Sequence, residues 1–199
     1  MSRHARKDPS ATSPIVYFVI VIALLISATA AWFFAFTRDS TAMPVNCYLP
    51  DSGPVVSSAM LIGENPAPPS NVGVRVLNAN GQSGQATVVS ETLQSLGFAR
   101  VDDNAVGNDP LTPSQNLNCH GQLRFGAEFN SHAATLHALF PCFELVHDAR
   151  TEGNVDVVLG KGFKTLDDSG PVHAVMQQLN NGEVVDSATL SSLVSRTCD

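Results

Sequence analysis

The chain has 199 residues, 44% of them hydrophobic and only 15% charged, with a formal net charge of −7. That length allows one ordinary domain plus flanking segments. The acidic balance argues against nucleic acid as a partner, because phosphate binding needs Lys and Arg to displace counterions.

The charge is unevenly placed. Arg3, Arg6 and Lys7 precede residue 37, with Asp8 as the sole acid there, so the remainder carries −9. Residues 1–14 read as a short cytoplasmic tail. Residues 15–36, IVYFVIVIALLISATAAWFFAF, hold no charge at all. At about 1.5 Å per residue this run matches a hydrocarbon core of about 30 Å. A cleaved signal peptide is the competing reading, with Ala28-Thr29-Ala30 as the cleavage site. The apolar run continues past that site through Trp32, Phe33 and Phe34, which favours an uncleaved anchor. Basic residues before it place the N-terminus in the cytoplasm and the rest outside.

Residues 37–70 read as a Pro-rich linker. Pro44, Pro50, Pro54, Pro66, Pro68 and Pro69 are half of the 12 prolines. Such a stretch is semi-extended, although Cys47 is placed to pin part of it down. The folded body is expected over 71–165. Val72, Val74 and Val76 alternate as in a half-buried strand. Ala86, Val89, Leu93 and Leu96 follow at helical spacing, with Ser83 as the expected N-cap and Gly97 as the stop. Phe98 to Val101 begins a second strand.

A second unit repeats the plan: a strand at 121–126, a helix near 128–140 with Phe129, Ala133, Leu136 and Phe140 on one stripe, and a strand at 142–147. A further strand covers 155–160. The order β-α-β, β-α-β, β predicts a small two-layer α/β sandwich, with two helices on one face of a mixed sheet. Residues 166–199 read as a C-terminal helical extension, with helices near 170–179 and 187–194. The connection 102–120 is long enough to be functional or stapled.

Cys47, Cys119, Cys142 and Cys198 all lie beyond the apolar run, which suggests two disulfides in an oxidising compartment. Three connectivities are open. Cys119 with Cys142, and Cys47 with Cys198, is the preferred pairing. Zinc is the weaker reading, since no CxxC pair occurs.

Candidate sites are few. The turn VLNANGQSGQA joins the first strand to the first helix, and amides at a helix N-terminus bind anions without a basic side chain. Asn78, Asn80, Gly81, Ser83 and Gly84 are therefore the candidate anion or partner turn. Neither GxxxxGK[ST] nor an in-frame GxGxxG is present, and Asn and Gly also serve plain tight turns. His132 and His137 lie five apart on one helix, too far around the axis for one metal. No HExxH or GxSxG occurs. Asp102-Asp103 and Asp167-Asp168 read as solvated turns. Lys161, Lys164 and Arg124, the last expected on the solvent side of its strand, form a small candidate basic spot. No catalytic residue and no cofactor is expected.

VRVLNANGQSGQATVVSETLQSLGF, LRFGAEFNSHAATLHALF and VDVVLGKGF together resemble the LytR C-terminal domain family. Ala79 stands where that family often has Gly. The resemblance implies a membrane-anchored, non-enzymatic accessory domain that supports the cell envelope, with a protein, wall or lipid partner. The competing expectation is a wall-polymer or lipid-phosphate transfer enzyme using the 78–84 turn.

Overall fold

The computed structural model describes residues 14–37, 46–101, 104–185 and 187–194. The chain divides into two compact units after residue 41. In the first, Pro14–Thr37 forms one continuous helix of 24 residues, α1. The uncharged sequence, with no Gly inside it and Pro only at its first position, leaves nothing to interrupt its hydrogen-bond ladder. Counting only residues whose side chains are described, no helix is long and apolar enough to cross a membrane.

The second unit is built on a mixed sheet of seven strands: β1 (Val55–Val56), β2 (Gly73–Asn78), β3 (Ala99–Arg100), β4 (Val106–Asn108), β5 (Gly121–Gly126), β6 (Glu144–Asp148) and β7 (Asn154–Leu159). The order is β1-β6-β5-β7-β2-β3, with β4 also paired to β2. Helix α2 (Gln85–Ser95) joins β2 to β3 and α3 (Asn130–His137) joins β5 to β6; both strand pairs are parallel, so both expected β-α-β units are present. The seam between them is β7, parallel to β2 and antiparallel to β5. The remaining helices are α4 (Gly170–Asn180) and α5 (Ser187–Val194).

Strand alternation sorts the side chains onto two faces. Val74, Val76, Leu123, Phe125, Leu145, Val155, Val157 and Leu159 share one core with Ala86, Val89 and Leu93 of α2 and Ala133 and Leu136 of α3; Val172, Val175 and Met176 of α4 join them. Fully burying one such side chain stabilises by about 1.5–3 kcal/mol, so this face carries most of the fold's driving force.

The opposite face has a smaller core of Cys47, Leu77, Ala79, Leu117, Cys119 and Val158. It is covered by segments in which sequence patterning placed no strand. The Pro-rich stretch supplies β1, whose Val55 pairs with Val146. Gly53 turns the chain there at φ +117°, where a Cβ would lie 2.2 Å from the His147 carbonyl oxygen, so only glycine lets this stretch lie so close to β6. The connection after β3 supplies β4, which pairs with β2 through Val76 and Val106.

Two local expectations are corrected. The α2 N-cap is Gly84 in a left-handed conformation, with no side-chain cap, rather than Ser83. Cys119 bonds to Cys47, not to Cys142. Cys119 packs with Leu77 and Val158 on the face away from the helices, and Cys47 is in that same cluster. The Cα atoms of the bonded pair are 5.0 Å apart, inside the range a disulfide requires. Cys142 is also disulfide-bonded. Cys198, and the Asp102-Asp103 turn, lie outside the described residues.

Candidate functional site

The turn after β2 closes upon itself. Asn78 Oδ1 accepts from the amides of Asn80 and Gly81, at 3.0 and 3.2 Å. Asn80 Oδ1 accepts from the Gln82 amide, and Asn80 Nδ2 donates to Gln85 Oε1 and to the Gly160 carbonyl. Gly81 and Gly84 supply the positive φ angles. The amides of Asn80, Gly81 and Gln82 are thus committed to two buried asparagines, and the turn is stitched to the loop after β7. Asn80→Ala is expected to cost about 1–3 kcal/mol, the scale of leaving buried partners unsatisfied. A urea unfolding midpoint unchanged by the substitution would show that these bonds do not hold the turn.

The sheet face away from the helices carries two polar networks. Gln122 Nε2 donates to Glu144 Oε2 at 2.7 Å, and Arg124 Nε donates to Gln122 Oε1 at 2.9 Å. Arg124 then donates two bonds to Asp109, at 2.7 and 3.0 Å. The Arg124 and Asp109 side chains are 4% and 0% exposed. Arg124 therefore does not join Lys161 and Lys164 at the surface: β4 and the chain after it cover the face on which it was expected to meet solvent.

In the second network Arg75 and Arg150 both bind Asp156, and Arg150 also binds Asp148. Burial alone would raise the Asp156 carboxyl. Hydrogen bonds and charge from Arg150 and Arg75 outweigh it and hold the group below its usual range. Burial likewise opposes the Arg150 charge, and Asp156 and Asp148 overcome it, so the guanidinium stays protonated. Each network joins elements distant in sequence; the second sets two guanidinium groups against two carboxylates, whereas in the first Arg124 pairs with Asp109 and Glu144 accepts from neutral donors, the Gln122 side chain and the Cys47 amide.

The histidines are dispersed. His132 Nδ1 lies 2.6 Å from the Gly153 carbonyl oxygen, and the His147 ring meets Phe125 edge-on. Asp168 accepts from His173, while Asp167 accepts from the Ser169 amide. Among the described residues, no group of three His, Cys, Asp or Glu is placed to hold a metal ion.

One concave feature stands out that sequence reasoning missed. An open groove of about 680 Å³ lies between the stretch 57–66, α3 and the region of α5; Leu61, Ile62, Ala134, Ala138, Val185 and Leu190 line it. That volume is in the range of small-molecule sites. The signal was present in Met60, Leu61 and Ile62, an apolar run inside a Pro-rich segment. His137, at the end of α3, also lines the groove, and burial lowers its pKa. An unfolded histidine titrates near 6.5, so the unfolded chain binds more protons just below that pH. Stability contributed by neutral His137 is complete above about pH 6.5 and is lost as pH falls toward the depressed folded value. His137→Gln is expected to flatten the fall in melting temperature between about pH 6.5 and 5, an interval set by the unfolded histidine pKa. An identical slope in the variant would contradict this.

A mixed sheet with two parallel β-α-β units, a committed Asn-Gly turn and a VDVVLG seam strand defines an α/β domain of the LytR C-terminal class. Residues 71–163 match the family described as LytR cell envelope-related transcriptional attenuator, and the chain belongs to the LytR C-terminal domain family. It is 33% identical to the cell envelope integrity protein Cei of Mycobacterium tuberculosis, over 97% of this chain and 91% of that protein. It is also similar to a crystal structure of the soluble domain of a conserved hypothetical secreted protein from Mycobacterium marinum. That match has a TM-score of 0.65 and 35% identity, covering 73% of this chain and 98% of the other. The protein is thus related to cell-envelope proteins.

Proposed function

We propose that the chain is a single-pass membrane protein with a cytoplasmic N-terminus and an extracytoplasmic, non-catalytic body. It contributes to envelope integrity by binding a partner protein or a wall or lipid component. The observation that carries this reading is the uncharged 15–36 run, helical in full, followed eleven residues later by the disulfide-bonded Cys47. Such a run is long enough to span a bilayer, and disulfides belong to the compartment beyond it. The name of the tuberculosis relative and the secreted status of the marinum homologue support the same side of the membrane. The non-catalytic reading is supported by the ion pairs of the far sheet face, Arg124 with Asp109 and Arg75 and Arg150 with Asp156, which hold these charges within the fold. The 78–84 turn acts as a structural closure in this account.

Deleting the gene is expected to raise uptake of a membrane-excluded dye and sensitivity to detergent, and the full chain restores both. A chain lacking residues 1–37, exported by a cleavable signal, restores them poorly because the body is no longer held at the membrane. Unchanged permeability in the deletion strain would refute the envelope role, and full rescue by the released body would refute the need for an anchor.

A further inference from the structure

We propose that the groove between residues 57–66, α3 and α5 takes one acyl chain of a lipid from the bilayer that holds α1, with the polar head of that lipid left outside. This rests on the single-pass reading above.

The chemistry of the groove selects a hydrocarbon. Leu61, Ile62, Ala134, Ala138, Val185 and Leu190 form its apolar walls. Ile62 of this lining is 83% exposed, and Val184, which precedes the lining residue Val185, is 96% exposed. Large apolar side chains grouped at the surface mark a binding site more often than they mark free surface. Among the described lining residues the ionisable side chains are Glu64 and His137, and none is a lysine or an arginine. A phosphate or a carboxylate finds no lysine or arginine among those described residues, and Glu64 repels it. An anionic head therefore stays outside while its chain enters. None of the described lining residues belongs to a strand, so an extended peptide has no ladder to join among them.

The chain itself names the source. Ten Cα steps separate Thr37, the last residue of α1, from Cys47, which is bonded to Cys119 in the body. Fully extended, that tether reaches about 35 Å. The tether caps the separation of Thr37 and Cys47 at that length, so bilayer lipid has a higher effective concentration around the body than a freely diffusing ligand.

The test uses the full chain in phosphatidylethanolamine–phosphatidylglycerol vesicles carrying a phospholipid with a diazirine in one acyl chain. Photolysis and peptide mapping are expected to give two separate sets of adducts, one within α1 and one on the peptides holding Leu61-Ile62 or Leu190. Ala134→Trp fills the groove and lowers the second set relative to the first by about tenfold, a change equal to ~1.4 kcal/mol of affinity. Ile62→Glu, at an exposed position that folding does not need, lowers it as well and serves if Ala134→Trp unfolds. Adducts on α1 without adducts in the groove overturn the lipid site and leave the membrane reading standing. Absence of α1 adducts overturns the membrane reading itself. Groove adducts indifferent to both substitutions also overturn the site. So does a photoreactive side chain at position 62 that captures protein rather than lipid in intact cells.

Discussion

Replacing Cys47 and Cys119 by serine is expected to lower the unfolding free energy of the body by about 4 kcal/mol, the chain-entropy value for a closed loop of this length. The separation is 72 residues, so the loop contains β1, β2, α2, β3 and β4. The bond does more than restrict the unfolded chain. It holds the stretch 46–56 over the far face of the sheet, where the Cys47 amide donates to Glu144 Oε1 at 3.3 Å. Without it, Gln122, Arg124 and Glu144 lose part of their cover, and β1 is kept in place by its pairing with β6, the packing of Val56 and the bond from Gln122 to Ser52. Hydrogen exchange of residues 46–56 is therefore expected to accelerate more than that of β5 or β7. A loss below about 1 kcal/mol would mean that the segment holds its place by packing alone, against the chain-entropy expectation.

Asp109→Ala is expected to cost about 3–5 kcal/mol, the scale of stranding a buried charge. Among the described residues Asp109 is the sole carboxylate that Arg124 binds, and neither side chain reaches solvent to any useful extent. Removing the acid leaves a guanidinium with no counter-charge and no water to replace it. The double variant Asp109→Leu, Arg124→Met removes both charges and is expected to lose much less, since apolar substitutes for a buried pair are often close to neutral. A double-mutant cycle in urea reads the difference as a coupling energy. Equal losses in the single and double variants would show that shape, not charge, governs this position. Domains of this size have about 5–15 kcal/mol in total, so Asp109→Ala places the fold near its limit.

What the sequence disclosed follows from periodicity. Val72 to Val76, Ala86 to Leu96 and Leu123 with Phe125 alternate at intervals that strands and helices impose, and those elements stand where patterning placed them. The far face of the sheet was harder to read because its residues are polar yet buried. Arg124, Gln122 and Asp156 look like solvent-side residues of half-buried strands. Their burial depends on chain arriving from elsewhere: β1 and Cys47 from the Pro-rich stretch, β4 and Asp109 from the long connection. Two- and three-residue strands are too short to show a period. One clue was available: Arg75 and Asp156 are opposite charges at outward positions of strands that pair, as cross-strand partners do. The disulfide pairing was illegible for the same reason, since it depends on which face Cys119 occupies. The groove depends on how three separate segments converge, which no local pattern records.

The most direct measurement is compartment-specific amine labelling, because the chain has three lysines: Lys7 before the apolar run, and Lys161 and Lys164, both exposed, in the body. A membrane-impermeant reagent applied to intact spheroplasts is expected to label Lys161 and Lys164 and to reach Lys7 only after the membrane is opened. Labelling of Lys7 on sealed cells, or no labelling of Lys161 and Lys164 until lysis, would contradict an extracytoplasmic body held by an uncleaved anchor.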